Sequence, residues 1–136
     1  MADFLTAFSK TLKYEGGWCN EANDDGNWTG GKKGVGNLVG TNYGITAPEM
    51  SKFLGRTATV EDMKNMSIEV PRKIYKEKYW DVVKGDLILN QEAADSIFDN
   101  SVNMGQTQAM KIAQRSLLIE ETGKMDDKTL NLLNNL

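Results

Sequence analysis

The chain has 136 residues, 40% of them hydrophobic and 26% charged, and a formal net charge of −3. That balance excludes a disordered chain, which carries fewer apolar residues, and argues against a nucleic-acid binder, which carries a basic stripe. Histidine is absent and Cys19 is the lone cysteine, which excludes Ser-His-Asp and Cys-His catalysis, imidazole-bound zinc and any internal disulfide.

The first predicted helix runs from about Asp3, its N-cap, to Tyr14. Phe4, Phe8 and Leu12 recur every four residues with Leu5 beside them, Glu15 continues that stripe, and Gly16-Gly17 stops the helix. From Gly16 to Gly44 the chain holds most of its 13 glycines and shows no helical period. A loop this long in a compact domain is usually functional, and this one has room for a short hairpin. A second helix starts at Thr46, which has capping-box spacing to Glu49, with Pro48 in the first turn and Gly55 at the end. Thr59 and Asp62 mark another short helical start.

A longer helix is predicted from about Ser67 through Ile74, Tyr75 and Lys78 towards Trp80, followed by a turn at Lys84-Gly85-Asp86. Asn90 then caps a helix bearing Ala93, Ala94, Ile97, Phe98 and Val102 that ends at Gly105. The next helix carries Met110, Ala113 and Leu117 and is broken by Gly123. The last spans about Asp127 to Leu136, with Leu130, Leu133 and Leu136 on one face. No stretch approaches the roughly 20 apolar residues of a membrane helix. The expectation is a mainly α protein with at most a small hairpin in the Gly-rich loop. The seven methionines are scattered and read as core filler.

Nucleotide and metal motifs fail at defined positions. Gly26 to Lys32 approaches a phosphate-binding loop, but Lys33 stands where Ser or Thr should bind magnesium, and no apolar strand precedes it. Gly34-Val35-Gly36 has Val39 where the dinucleotide fingerprint needs glycine. Asn23-Asp24-Asp25-Gly26 resembles part of a calcium loop, yet its twelfth position is Lys32 rather than a bidentate Glu. No metal or other cofactor is expected. With no histidine to activate it, Cys19 is a poor nucleophile.

The carboxylates carry more information. Glu15 falls at a helix end on an apolar face, beside two glycines and Trp18, where desolvation favours the protonated form. Asp24 follows nine residues later in a polar loop that favours the ionised form. Two carboxyl groups pushed apart in pKa are what glycoside hydrolysis requires. The alternative is a Glu15 that merely ends a fraying helix. Trp18, Trp28, Tyr43, Tyr79 and Trp80 offer ring faces of the kind sugars stack on, although Tyr79 and Trp80 fit an ordinary core equally well. Asn103, just before Gly105, is either a helix-end residue or a hydrogen-bond donor to substrate.

Taken in order, several motifs resemble the signature of glycoside hydrolase family 108, lysozyme-like N-acetylmuramidases of phage endolysins and bacterial secretion-activator proteins. They are Tyr14-Glu15-Gly16-Gly17-Trp18, Asp24-Asp25-Gly26, and Thr41-Asn42-Tyr43-Gly44-Ile45-Thr46. Ile74-Tyr75 through Tyr79-Trp80 resembles the family's next helix. Ile97 through Gly105, Gln114-Arg115, Gly123 to Asp126 and Thr129-Leu130 resemble its peptidoglycan-binding C-terminal segment. The resemblance implies a lysozyme-like fold, with a glycosidase domain over residues 1–85 and a helical peptidoglycan-binding-like segment over 86–136.

It further implies cleavage of the β-1,4 bond between N-acetylmuramic acid and N-acetylglucosamine. Glu15 is then the catalytic acid, Asp24 the second carboxylate and Thr41 the threonine that helps hold water. Trp18, Tyr43, Tyr79, Trp80 and Asn103 are candidate sugar contacts. Asn27 to Gly40 reads as an insertion where the family has a short Asp-Pro-Gly-Gly stretch, which leaves Asp25 and Thr29 as alternatives to Asp24 and Thr41. The expected partner is the glycan strand of peptidoglycan, met by a monomer without nucleic acid or stable membrane insertion. The opening Met-Ala-Asp-Phe-Leu lacks a signal peptide's basic lead and apolar run, so the expectation is a protein made in the cytoplasm and acting in the periplasm or wall, its export route not given by the sequence. Two other readings share these residues: a non-catalytic wall-binding or secretion-accessory protein, and a lytic transglycosylase.

Overall fold

The structure is a computed structural model and describes residues 1–12 and 17–136. Among the described residues there are seven α-helices: α1 (Phe4–Leu12), α2 (Ala47–Leu54), α3 (Val60–Lys64), α4 (Glu69–Tyr75), α5 (Gln91–Met104), α6 (Gln106–Ser116) and α7 (Asp127–Asn134). Extended pairing among them is confined to isolated antiparallel bridges, Cys19 with Thr41, Trp28 with Leu38 and Asn42 with Ile45. The expectation of a mainly helical chain with little more than a hairpin in the Gly-rich loop holds.

The chain forms two compact units, residues 1–11 with 75–136, and residues 12–74. The boundary expected at residue 85 falls inside the first of these. The core of that unit is aromatic. Phe4 meets Trp80 and Phe98 edge-on, with centroids 5.6 Å away in both cases, and Trp80 meets Phe98 at 5.8 Å. Such pairs add about 0.5–1.5 kcal/mol each beyond the area they bury.

The helix predicted to run on to Trp80 does continue past Tyr75, but in a wider π turn over Lys76–Trp80, closed by the Asp81 amide donating to Lys76 O at 2.8 Å. In a regular α-helix, residues five apart face different sides. The wider turn brings Tyr75 and Trp80 both inward, at 3% and 0% exposure. Gly85 lies against the Trp80 ring so closely that a Cβ there would come within 2.2 Å of it.

Asn90 caps α5 by accepting from the Ala93 amide at 3.0 Å, and Gly105 ends the helix. Ala94, Ile97, Phe98 and Ser101 form its buried face, a helical spacing legible in the sequence. Beyond α6, the buried Gln114 side chain ties the connection to α7. Its amide nitrogen reaches Thr122 Oγ1, Lys124 O and Thr129 Oγ1, and its oxygen accepts from the Gly123 amide.

The second unit has a smaller core of Val39, Ile45, Ala47, Met50, Ala58, Met63 and Met66. Both capping boxes expected from the sequence are present, Thr46 with Glu49 on α2 and Thr59 with Asp62 on α3. Asp62 also takes a two-pronged contact from Arg56, at 2.7 and 2.9 Å. Met50, Met63, Met66, Met110 and Met125 are buried while Met1 and Met104 are exposed, so most methionines do fill cores.

Candidate active site

The Gly-rich segment is organised by Asn27, which is fully buried. Its backbone oxygen accepts from the Val39 and Gly40 amides at 2.9 and 3.0 Å. That pinches the chain into a closed excursion from Asn27 to Gly40, the stretch that reads as an insertion. Within it the Thr29 amide donates to Asn37 O at 2.9 Å and the Gly30 amide to Val35 O at 3.0 Å. A long insertion closed at its base leaves the segments on either side adjacent.

Those segments carry the candidates. Asp24 caps the short 3₁₀ turn Asp25–Asn27, its Oδ1 accepting from the Gly26 amide at 3.0 Å. Thr41 Oγ1 donates to Asn27 Oδ1 at 2.5 Å and lies 3.4 Å from Gly26 O. Asp24 is thus anchored to the Gly26 N–H and Thr41 to the adjoining Asn27 side chain, so both belong to the same Gly26–Asn27 turn.

The alternatives are otherwise engaged. Asp25 Oδ1 accepts from the Lys33 amide at 2.9 Å, and Thr29 Oγ1 accepts from the Asn37 amide at 2.9 Å. Both brace the excursion. Asn23 Oδ1 accepts from Lys33 Nζ at 2.9 Å, so the side chains of the calcium-loop-like segment are spent on local hydrogen bonds. Among the described residues no group of three or more carboxylate, thiol or imidazole side chains is placed to hold a metal ion.

Trp18 is 36% exposed, and its indole N–H donates to Val39 O at 3.1 Å. Lys64 Nζ sits 5.7 Å from the ring centroid, a cation–π contact that holds the ring in place. Trp28, another ring of the loop, donates its indole N–H to Ala22 O at 2.9 Å. Tyr43 and Gly44 form the two-residue turn between Asn42 and Ile45, with φ of 51° and 75°. Such a turn normally selects Asn-Gly. A tyrosine in the left-handed region costs about 1 kcal/mol or more, the kind of strain that collects at functional sites. Asn42, buried beneath, donates to Met63 O at 2.8 Å.

The remaining candidates lie in the first unit. Tyr79 is half-buried, edge-on to Tyr75 at 5.6 Å, with Lys78 Nζ 5.4 Å from its ring centroid. Asn103 is exposed on the last turn of α5, its side-chain amide donating to Asp99 Oδ2 at 3.3 Å, while Asp99 Oδ1 accepts from Thr11 Oγ1 at 3.0 Å. Trp80 is a correction. It has no exposed surface, and its indole N–H is spent on Asp86 at 2.8 Å, so it serves the core and offers no face to a sugar. Glu15 lies outside the described residues. A cavity of about 360 Å³ in the first unit, lined among others by Val83, Thr107, Met110, Lys124 and Met125, contains none of the candidates.

Asn27 and Asp99 are not singled out by sequence reading. An asparagine in a polar loop and an aspartate mid-helix carry no local signal, and only their long-range partners mark them.

The chain is mainly helical, and its cross-braced polar loop holds Asp24 and Thr41 at one turn. The chain belongs to glycosyl hydrolase family 108, whose sequence profile matches residues 8–105. Its fold is similar to that in the structure of Brucella abortus SagA, with a TM-score of 0.69 and 26% identity over 98% of this chain and 69% of that one. No curated protein matches the chain significantly. The lysozyme-like fold follows from this likeness, and a glycoside hydrolase from the family.

Proposed function

We propose that the protein is an N-acetylmuramidase, hydrolysing the β-1,4 bond between N-acetylmuramic acid and N-acetylglucosamine in peptidoglycan. Glu15 gives its proton to the glycosidic oxygen as the C–O bond breaks. A water oxygen bonds to the anomeric carbon, and Asp24 takes the proton that water releases. Thr41 helps hold that water. Trp18, Tyr43, Tyr79 and Asn103 contact the sugars, and residues 86–136 add affinity for the wall. The substrate places the protein's work in the periplasm or cell wall.

One observation carries this reading: the closed excursion from Asn27 to Gly40 brings Thr41 back to the Gly26–Asn27 turn that Asp24 caps, despite the fourteen residues from Asn27 to Gly40 between them. Neither alternative residue, Asp25 or Thr29, combines that placement with a side chain free of the excursion's bracing.

The test is digestion of purified cell walls by the wild type and by Glu15→Gln. Turbidity loss with new reducing N-acetylmuramic ends in the wild type, and neither in the variant, is the expected result. Unchanged lysis by Glu15→Gln removes the assignment. Mass spectrometry of the products separates the other readings: a 1,6-anhydro ring identifies a transglycosylase, and wall binding without any new fragments identifies a binding protein.

A further inference from the structure

The buried amide of Asn27 fixes more than the loop. Its Nδ2 donates to Glu21 O at 2.9 Å. A carbonyl partner on that side forces the amide nitrogen to face it, because two oxygens would repel. The other end of the side chain is therefore the oxygen, and it faces Thr41 Oγ1 at 2.5 Å. An amide oxygen only accepts, so the single hydroxyl proton of Thr41 is committed to Asn27. The threonine is left with lone pairs alone to offer any other partner.

We infer that Asn27 is a positioning residue that acts through Thr41, making its hydroxyl an obligate acceptor towards the hydrolytic water. This rests on the muramidase reading above. A water donating one hydrogen to Thr41 and the other to Asp24 has both hydrogens withdrawn from the sugar and presents a lone pair to the anomeric carbon. A Thr41 hydroxyl free to rotate would instead donate to the water about as readily as accept from it, spending the lone pair that must attack. Asn27 is itself held at four points, by Glu21 through its side chain, by Thr41, and by the Val39 and Gly40 amides on its backbone oxygen. The base of the inserted excursion and the orientation of the hydroxyl thus depend on the same residue.

The test is a double-mutant cycle of Asn27→Ala and Thr41→Val, with Thr41→Ser as the conservative control, read as kcat and KM on soluble peptidoglycan fragments. Each of Asn27→Ala and Thr41→Val is expected to lower kcat about tenfold to a hundredfold with KM changed less than about threefold. The double variant should lose no more than Thr41→Val alone, since the two residues act as one unit. Thr41→Ser, which keeps the hydroxyl, should retain kcat within about threefold. Losses that multiply in the double variant, or a Thr41→Val variant with unchanged kcat, overturn the inference while wild-type cleavage leaves the muramidase reading standing. A wild type that cleaves no glycan overturns both. Should Asn27→Ala fail to fold, Asn27→Ser runs the same cycle, its hydroxyl being too short to reach Thr41, and the same outcomes decide.

Discussion

The nitrogen edge of the Trp18 indole occupies the space that a side chain at Gly40 would need. A Cβ on Gly40 would stand 2.6 Å from Trp18 Nε1 and 2.7 Å from Cys19 O, and Gly40 has a φ of +98°. Both the contact and the backbone angle therefore demand glycine. The consequence is that a loop glycine sets the place of a ring proposed to receive sugar.

Gly40→Ala is expected to cost about 2–4 kcal/mol, from backbone strain and overpacking together. The backbone oxygen of Cys19 cannot yield as a flexible side chain would, so the indole moves. Tryptophan fluorescence should shift to the red with a parallel fall in glycan affinity. A variant with wild-type stability and emission would show that the contact is slack.

Asp24 and Asp25 can be told apart by replacing each in turn. Asp24→Asn removes the proposed base and should lower kcat at least about a hundredfold. Asp25→Asn keeps a carbonyl oxygen for the Lys33 amide and should stay within about threefold of wild type. The opposite pattern in the same wall-digestion assay would move the base to Asp25.

Tyr43 holds a left-handed backbone that glycine adopts freely. Replacing it should therefore relieve strain of about 1 kcal/mol while removing a ring from the proposed glycan site. Tyr43→Gly is expected to melt within about 3 °C of the wild type yet to bind soluble glycan about tenfold more weakly. Retained affinity would strike Tyr43 from the sugar contacts.

Stability in acid should depend on Asp62. Its hydrogen bonds from Arg56, then from the Thr59 amide, hold its carboxyl well below the ordinary aspartate range. A carboxylate with a lower pKa folded than unfolded stabilises fully above its unfolded value, near pH 4, and that stabilisation is lost as pH falls through the folded value. Asp62→Asn should cost about 1 kcal/mol at neutral pH, limited by the exposure of Arg56. The melting temperature of the variant should approach that of the wild type below about pH 4. Parallel melting curves at every pH would assign the stabilisation elsewhere.

The helical part of the fold was legible because its signals are local. Thr46 with Glu49, Thr59 with Asp62, and Asn90 before its apolar stripe each fix a helix start within a few residues. The π turn at Lys76–Trp80 was not legible. Apolar spacing alone does not reveal a five-residue register, and the demand for it comes from the Phe4 and Phe98 rings packed around Trp80. The same packing explains why Trp80, read as either a sugar platform or a core residue, is a core residue.

The candidate site divides in the same way. Residue types and order alone pointed to the family, and they single out Glu15 and Asp24 as the candidate carboxylates, because chemistry restricts which side chains can do such work. Tertiary structure decided that Asn27 closes the insertion, that Thr41 rather than Thr29 comes to Gly26, and that Asp25 braces the loop. Those choices rest on contacts between residues up to fifteen apart, which form only once the backbone has folded back on itself. A loop without periodicity carries no local trace of them.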